Sequence, residues 1–200
     1  INRACDVLQP DLVLFTGDNI LGNHINDAVI GTKQIVSGHD ATRARVERAI
    51  RHIVLPLEKR KIPFAVLYGN HDDMNCIEKA EQSEIYGSYS SCIGSGSDIG
   101  AGCGTYDIPI MSSDGSKRAF TVWMLDSAGK YADGSRYTTV SRDKIDWMLR
   151  RNKEIQKDFG VLPSFVFQHV PIPETIQLIR ECKKSNDYIC LLYTSDAADE

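Results

Sequence analysis

The sequence predicts an α/β domain in which a largely parallel sheet is covered by helices. A short apolar run, then polar residues, then a helical segment recurs four times along the chain. The runs are continuous and rich in β-branched and aromatic residues, which is the pattern of strands buried on both faces. The segments between them place apolar residues at i, i+3 and i+4, the spacing of a helix with one buried face.

In chain order, the first run is Leu12-Val13-Leu14-Phe15, ending in Thr16-Gly17-Asp18-Asn19. A helix over Arg43 to Leu57 follows, with Val46, Ala49, Ile50, Ile53, Val54 and Leu57 on its apolar side. The second run, Phe64 to Tyr68, ends in Gly69-Asn70-His71-Asp72-Asp73. Residues 87–106 are rich in Gly and Ser without periodicity and read as a long surface loop or insertion. Tyr106 to Ile110, a Ser-Ser-Asp-Gly turn at 112–115 and the third run, Phe120 to Leu125, suggest an antiparallel pair. That run ends in Asp126-Ser127. Ser141 is placed to cap a helix carrying Ile145, Met148, Leu149 and Ile155. The fourth run, Ser164 to Phe167, ends in Gln168-His169-Val170-Pro171, and Pro173 is placed to start a helix with Ile176, Ile179 and Cys182.

The 200 residues, 42% of them apolar, suffice for one domain with a substantial core. A net charge of −4 gives no electrostatic case for nucleic-acid or anionic-membrane binding, so neither is expected as a partner. No apolar run approaches the roughly 18 residues that span a bilayer. The chain starts at Ile1, and it is expected to be a piece cut at both ends. The cysteines at 5, 76, 92, 103, 182 and 190 form no zinc-ribbon spacing. Cys92 and Cys103 flank the glycine-rich stretch and read as ordinary thiols, with a loop disulfide as the alternative in an oxidising compartment.

Ligands in open α/β sheets collect beyond the carboxyl ends of the strands. Those ends here carry Asp18, Asn70, His71, Asp126 and His169. Carboxylate, amide oxygen and imidazole are donors that divalent metals accept. Taken alone, Asp18 reads equally as a helix N-cap and His169 as a core histidine; their recurrence at strand ends favours the metal. Asp126 either lines the pocket or caps a turn. His24, His39 and His52, and the Arg43, Arg45, Arg48 and Arg51 face, read as solvated, and Trp123 and Trp147 as core.

Thr16-Gly17-Asp18-Asn19, Gly69-Asn70-His71-Asp72 and Gln168-His169 resemble, in order, motifs of the calcineurin-like metallophosphoesterases. Ile62-Pro63-Phe64 and Gln168 to Glu174 are similar to the purple-acid-phosphatase-like branch in particular. The resemblance spans about Asp11 to Cys182. It implies mixed, mostly parallel sheets in a β-sandwich flanked by helices, incomplete here, with residues 1–190 as one domain. Residues 191–200 resemble translated adaptor sequence and are expected to be a non-native tail.

The resemblance also implies roles. Asp18 would bridge two metal ions, Asn70 and His169 would bind the second of them, His71 would assist the leaving group, and Asp72 would hold His71 in position. The implied reaction is hydrolysis of phosphate mono- or diesters, on a small molecule or a phosphoprotein, by a metal-bridging hydroxide. The family's opening Asp-x-His and closing Gly-His-x-His have no counterpart, so this piece alone is expected to be inactive. Ile20 and Leu21 stand where the purple enzymes carry a metal-bound tyrosine, which points to a colourless Fe, Mn or Zn site. A nucleotide or cyclic-nucleotide phosphodiesterase would need base-stacking aromatics near the pocket, and none is assignable. The rival from another class is an inert scaffold that binds a protein partner. It ranks lower because His71, Asn70 and His169 are all present.

Overall fold

A computed structural model describes residues 1–21, 38–72, 74–98, 103–127 and 139–172, with 174, 175, 178 and 181 beyond them. The expected helix from Pro173 lies almost wholly outside the described residues, as do His24, Asp73, Cys190 and the whole 191–200 segment. The chain divides into two compact units, Ile1–Val170 and Pro171–Glu200, and the first carries the fold described here.

In chain order the elements are α1 (Asn2–Leu8), β1 (Val13–Thr16), α2 (His39–Arg60), β2 (Phe64–Leu67), α3 (Lys79–Gly87), β3 (Cys92–Gly94), β4 (Tyr106–Met111), β5 (Arg118–Met124), α4 (Arg142–Phe159) and β6 (Ser164–Phe167). The strands form two three-stranded sheets, β1-β2-β3 and β4-β5-β6. The first is parallel throughout. In the second, β5 pairs antiparallel with β4 and parallel with β6. The expected α/β class and hairpin are therefore present, with the strands divided between two sheets.

The apolar run of β2 shows why two sheets form. Successive side chains on a strand point to opposite faces. Phe64, Val66 and Tyr68 join Val46, Ile50, Val54 and Leu57 of α2 and Ile85 and Tyr86 of α3 in one core. Ala65 and Leu67 face the other way, into a second core with Tyr106, Ile108, Val122 and Met124. Each fully buried side chain of Phe or Leu size contributes about 1.5–3 kcal/mol. On the far side of the second sheet Trp147 of α4 meets Trp123 edge-on at 5.8 Å. There the Asp107 carboxylate pairs with Arg118 at 2.7 Å and with Arg151 at 2.9 Å. The order of layers is helix, sheet, sheet, helix.

Three local expectations need correction. β1 is only half-buried and β6 largely exposed, because each lies at the edge of its sheet rather than inside it. The segment read as a long loop contains β3, which extends the first sheet. Ser141 occupies the N-cap position of α4 without making a side-chain cap hydrogen bond. Cys92 and Cys103 are free thiols, in agreement with the expectation.

Tyr106 stitches the sheets together. Its hydroxyl accepts from Val66 N at 2.9 Å and lies 2.8 Å and 2.9 Å from the carbonyl oxygens of Val66 and Gly94. The β2–β3 register shifts between Phe64 and Ala65, just before this insertion. Tyr106→Phe leaves a buried amide without its acceptor and is expected to lower stability by about 1–3 kcal/mol. Equilibrium urea unfolding checks it. No described helix is long and apolar enough to cross a membrane.

Candidate metal centre

Two strand ends of the first sheet and one of the second build the site. After Thr16 the backbone turns sharply through Gly17, at φ 103°, and Asp18, at φ 52°. The left-handed region costs most residues about 1–2 kcal/mol, but glycine visits it freely and Asp tolerates it. Asn19 Nδ2 ties this turn to the Leu67 carbonyl at 2.8 Å. The backbones pass so closely that a Cβ on Gly69 would lie 1.9 Å from Asp18 Oδ1, and one on Gly17 would lie 2.4 Å from His169 Nδ1.

Asp72 holds the two turns together. Its carboxylate, fully buried, accepts from Asp18 N at 2.9 Å, Ile20 N at 3.0 Å and Gly69 N at 2.6 Å. Burial pushes the Asp72 carboxyl above its ordinary value, and the three amides pull against that shift. The hydrogen bonds of the Asp72 carboxylate thus go to these amides, whereas the expectation was that it holds His71. Its carboxylate turns inward onto backbone amides while His71 stays half-buried, and the imidazole Nδ1 of His71 is buried with no hydrogen-bond partner among the described residues.

Asp18 Oδ1 accepts from His71 N at 2.9 Å, and Oδ2 faces His169 Nε2 at 3.2 Å. Asn70 Oδ1 lies 3.0 Å from the same Nε2. On the other side of the ring, His169 Nδ1 lies 3.1 Å from the Thr16 carbonyl. A carbonyl can only accept, so Nδ1 carries the hydrogen and Nε2 points its remaining valence at the two oxygens. A neutral imidazole would then bring three electron-pair donors together. Such a cluster is held by a cation, either a proton on Nε2 or a metal ion in its place. Burial works against protonating His169, yet the Asp18 carboxylate, with the Thr16 carbonyl and Asp72, raises its pKa above the ordinary value.

The structure therefore brings Asp18, Asn70 and His169 of the expected set into contact, with His71 adjacent through its backbone. One carboxylate, one amide oxygen and one imidazole fit a borderline divalent ion. Among the described residues no group of three or more His, Cys, Asp and Glu could hold a metal. A second ion would have Asp18 alone among the residues singled out from the sequence.

Asp126 does not join these donors. It is paired with Lys79 at 3.2 Å and with Lys144 at 2.7 Å. Sequence reasoning missed both lysines and missed Ser127, whose hydroxyl accepts from His169 N at 3.0 Å and Val170 N at 2.8 Å. The available signal was that Asp126-Ser127 ends a strand in the way that Gly17-Asp18 and Gln168-His169 do.

The fold and this strand-end chemistry define a member of the calcineurin-like phosphoesterase family, to which the chain belongs; the family model matches residues 1–197. Phosphatase DCR2 of Saccharomyces cerevisiae is 26% identical over 89% of this chain and 29% of its own length. An uncharacterised protein of Schizosaccharomyces pombe is 25% identical over 87% of the chain and 29% of its length. An Arabidopsis thaliana protein named probable inactive purple acid phosphatase 29 is 23% identical over 87% of the chain and 45% of its length. The chain thus spans less than half the length of these relatives. No solved structure matches it significantly.

Proposed function

We propose that the protein is a metal-dependent phosphoesterase that hydrolyses phosphate mono- or diesters. The observation that carries this reading is the meeting of Asp18 Oδ2, Asn70 Oδ1 and His169 Nε2 within 3.0–3.2 Å contacts on half-buried, hydrogen-bonded turns. These residues would hold one ion of Fe, Mn or Zn type, with Asp18 shared toward a second. Such ions supply, when bound, a nucleophile near neutral pH and charge neutralisation for the phosphate oxygens.

The chain's own residues do the rest. Asp72 fixes the spacing of the Asp18 and Asn70 turns through their amides. His169 keeps Nε2 toward the donors because Thr16 holds Nδ1. His71, beside Asp18 with its Nδ1 making no hydrogen bond among the described residues, delivers a proton or a charged hydrogen bond to the departing ester oxygen. The substrate is a phosphate-ester small molecule or a phosphoprotein.

A second reading, an inert scaffold, is favoured by the names of the plant relatives, three of which are called probable inactive purple acid phosphatases. The test is hydrolysis of p-nitrophenyl phosphate and bis-p-nitrophenyl phosphate by the full-length protein, with Mn, Zn and Fe added separately. Metal-dependent turnover is expected, with kcat falling about 10²–10⁴-fold in His71→Ala. A folded protein inactive with every metal supports the scaffold instead.

A further inference from the structure

We propose that Ser127 is a positioning residue whose hydroxyl sets the imidazole of His169 for metal binding; this rests on the metal reading above. Ser127 is 2% exposed and follows the end of β5. Its Oγ receives two consecutive amides, His169 N at 3.0 Å and Val170 N at 2.8 Å. Two amides converging on one oxygen fix the backbone on both sides of the His169 Cα, and so the direction in which its side chain leaves the chain. The ring's Nδ1 is separately held by Thr16 O at 3.1 Å. Between them the two contacts leave the imidazole little freedom, which is what a ligand held to within about 0.5 Å requires.

Ser127 is itself built in. The residue before it is held at its amide by Thr105 Oγ1 at 3.2 Å, and at its carbonyl by Lys144 Nζ at 2.9 Å. Its carboxylate lies between Lys79 and Lys144, and all three side chains are only 13–17% exposed. One residue earlier, Leu125 N bonds the Phe167 carbonyl at 2.9 Å, so the two strand ends travel together. Sinking two ammonium groups onto one carboxylate carries a desolvation penalty. Merely ending a strand does not call for it; holding the next hydroxyl in place does.

Titration of the chain with Co²⁺, read by visible ligand-field absorption, tests this against a purely structural role. His169→Ala sets the scale for losing the ligand. Ser127→Ala is expected to raise the Kd for Co²⁺ about 10–100-fold and to alter the spectrum. Ser127→Thr, which keeps the hydroxyl, is expected to restore both. Wild-type affinity and spectrum in Ser127→Ala, beside a loss in His169→Ala, overturn the proposal and leave the metal reading standing. A wild-type chain that takes up no Co²⁺ overturns both, and does so before any variant is compared. Should Ser127→Ala not fold by circular dichroism, Ser127→Cys keeps the volume with a weak acceptor. Unchanged Co²⁺ affinity in that variant overturns the proposal equally.

Discussion

Asp72→Ala is expected to be the most damaging single substitution in the described part of the chain, costing about 3–5 kcal/mol and abolishing metal uptake. Three amides, those of Asp18, Ile20 and Gly69, lose their acceptor at once in a fully buried position. A buried donor left unsatisfied costs about 1–3 kcal/mol, and the three share one site, so the sum is less than fully additive. Total stabilities run at about 5–15 kcal/mol, so part of the population is expected to unfold. Asp72→Asn keeps the shape and one acceptor oxygen but turns a donor toward the amides, and it is expected to fall between wild type and alanine. Urea unfolding monitored by circular dichroism reads the series. An Asp72→Ala protein within about 1 kcal/mol of wild type would show that the carboxylate does not clamp the turns.

Gly69→Ala is expected to separate stability from metal binding. The added Cβ would fall 1.9 Å from Asp18 Oδ1 and 2.3 Å from Asp18 N, so one turn must move by more than an ångström. Overpacking of this kind costs about 1–3 kcal/mol. The donor geometry suffers more, since Asp18 is the residue displaced, and Co²⁺ affinity is expected to fall by at least 10–100-fold. Gly96→Ala is the control. Its Cβ meets only Ser83 Oγ at 3.9 Å, and a change within about 0.5 kcal/mol is expected, with metal affinity intact.

Both predictions concern the turns that bring Asp18, Asn70 and Asp72 together. Asp18, Asn70 and His169 could be singled out because each lies just beyond the carboxyl end of a strand, whereas the approach of β6 to β1 and β2 crosses between two sheets and shows only in the fold. The amide contacts of Asp72 were not legible. A carboxylate next to a histidine suggests an ion pair, and only the crossing of two turns shows three amides pointing at it. Ser127 stayed hidden for a similar reason. Its contact with His169 depends on β5 and β6 being adjacent in the second sheet, and runs of apolar residues reveal strands without assigning them to sheets. β3 was missed because three residues carry no period of their own. Its place beside β2 depends on Tyr106, whose hydroxyl bridges the Val66 and Gly94 carbonyls from the opposite sheet. The exposure of β6 likewise follows from sheet order, since the same Phe-Val-Phe composition would be buried in a central strand.

The most direct test of the central claim is an anomalous difference map from crystals of the protein grown with Zn²⁺. A peak about 2.0–2.2 Å from Asp18 Oδ2, Asn70 Oδ1 and His169 Nε2 is the expected result. Turns placed as described here, with millimolar Zn²⁺ present and no peak between those three atoms, would contradict it.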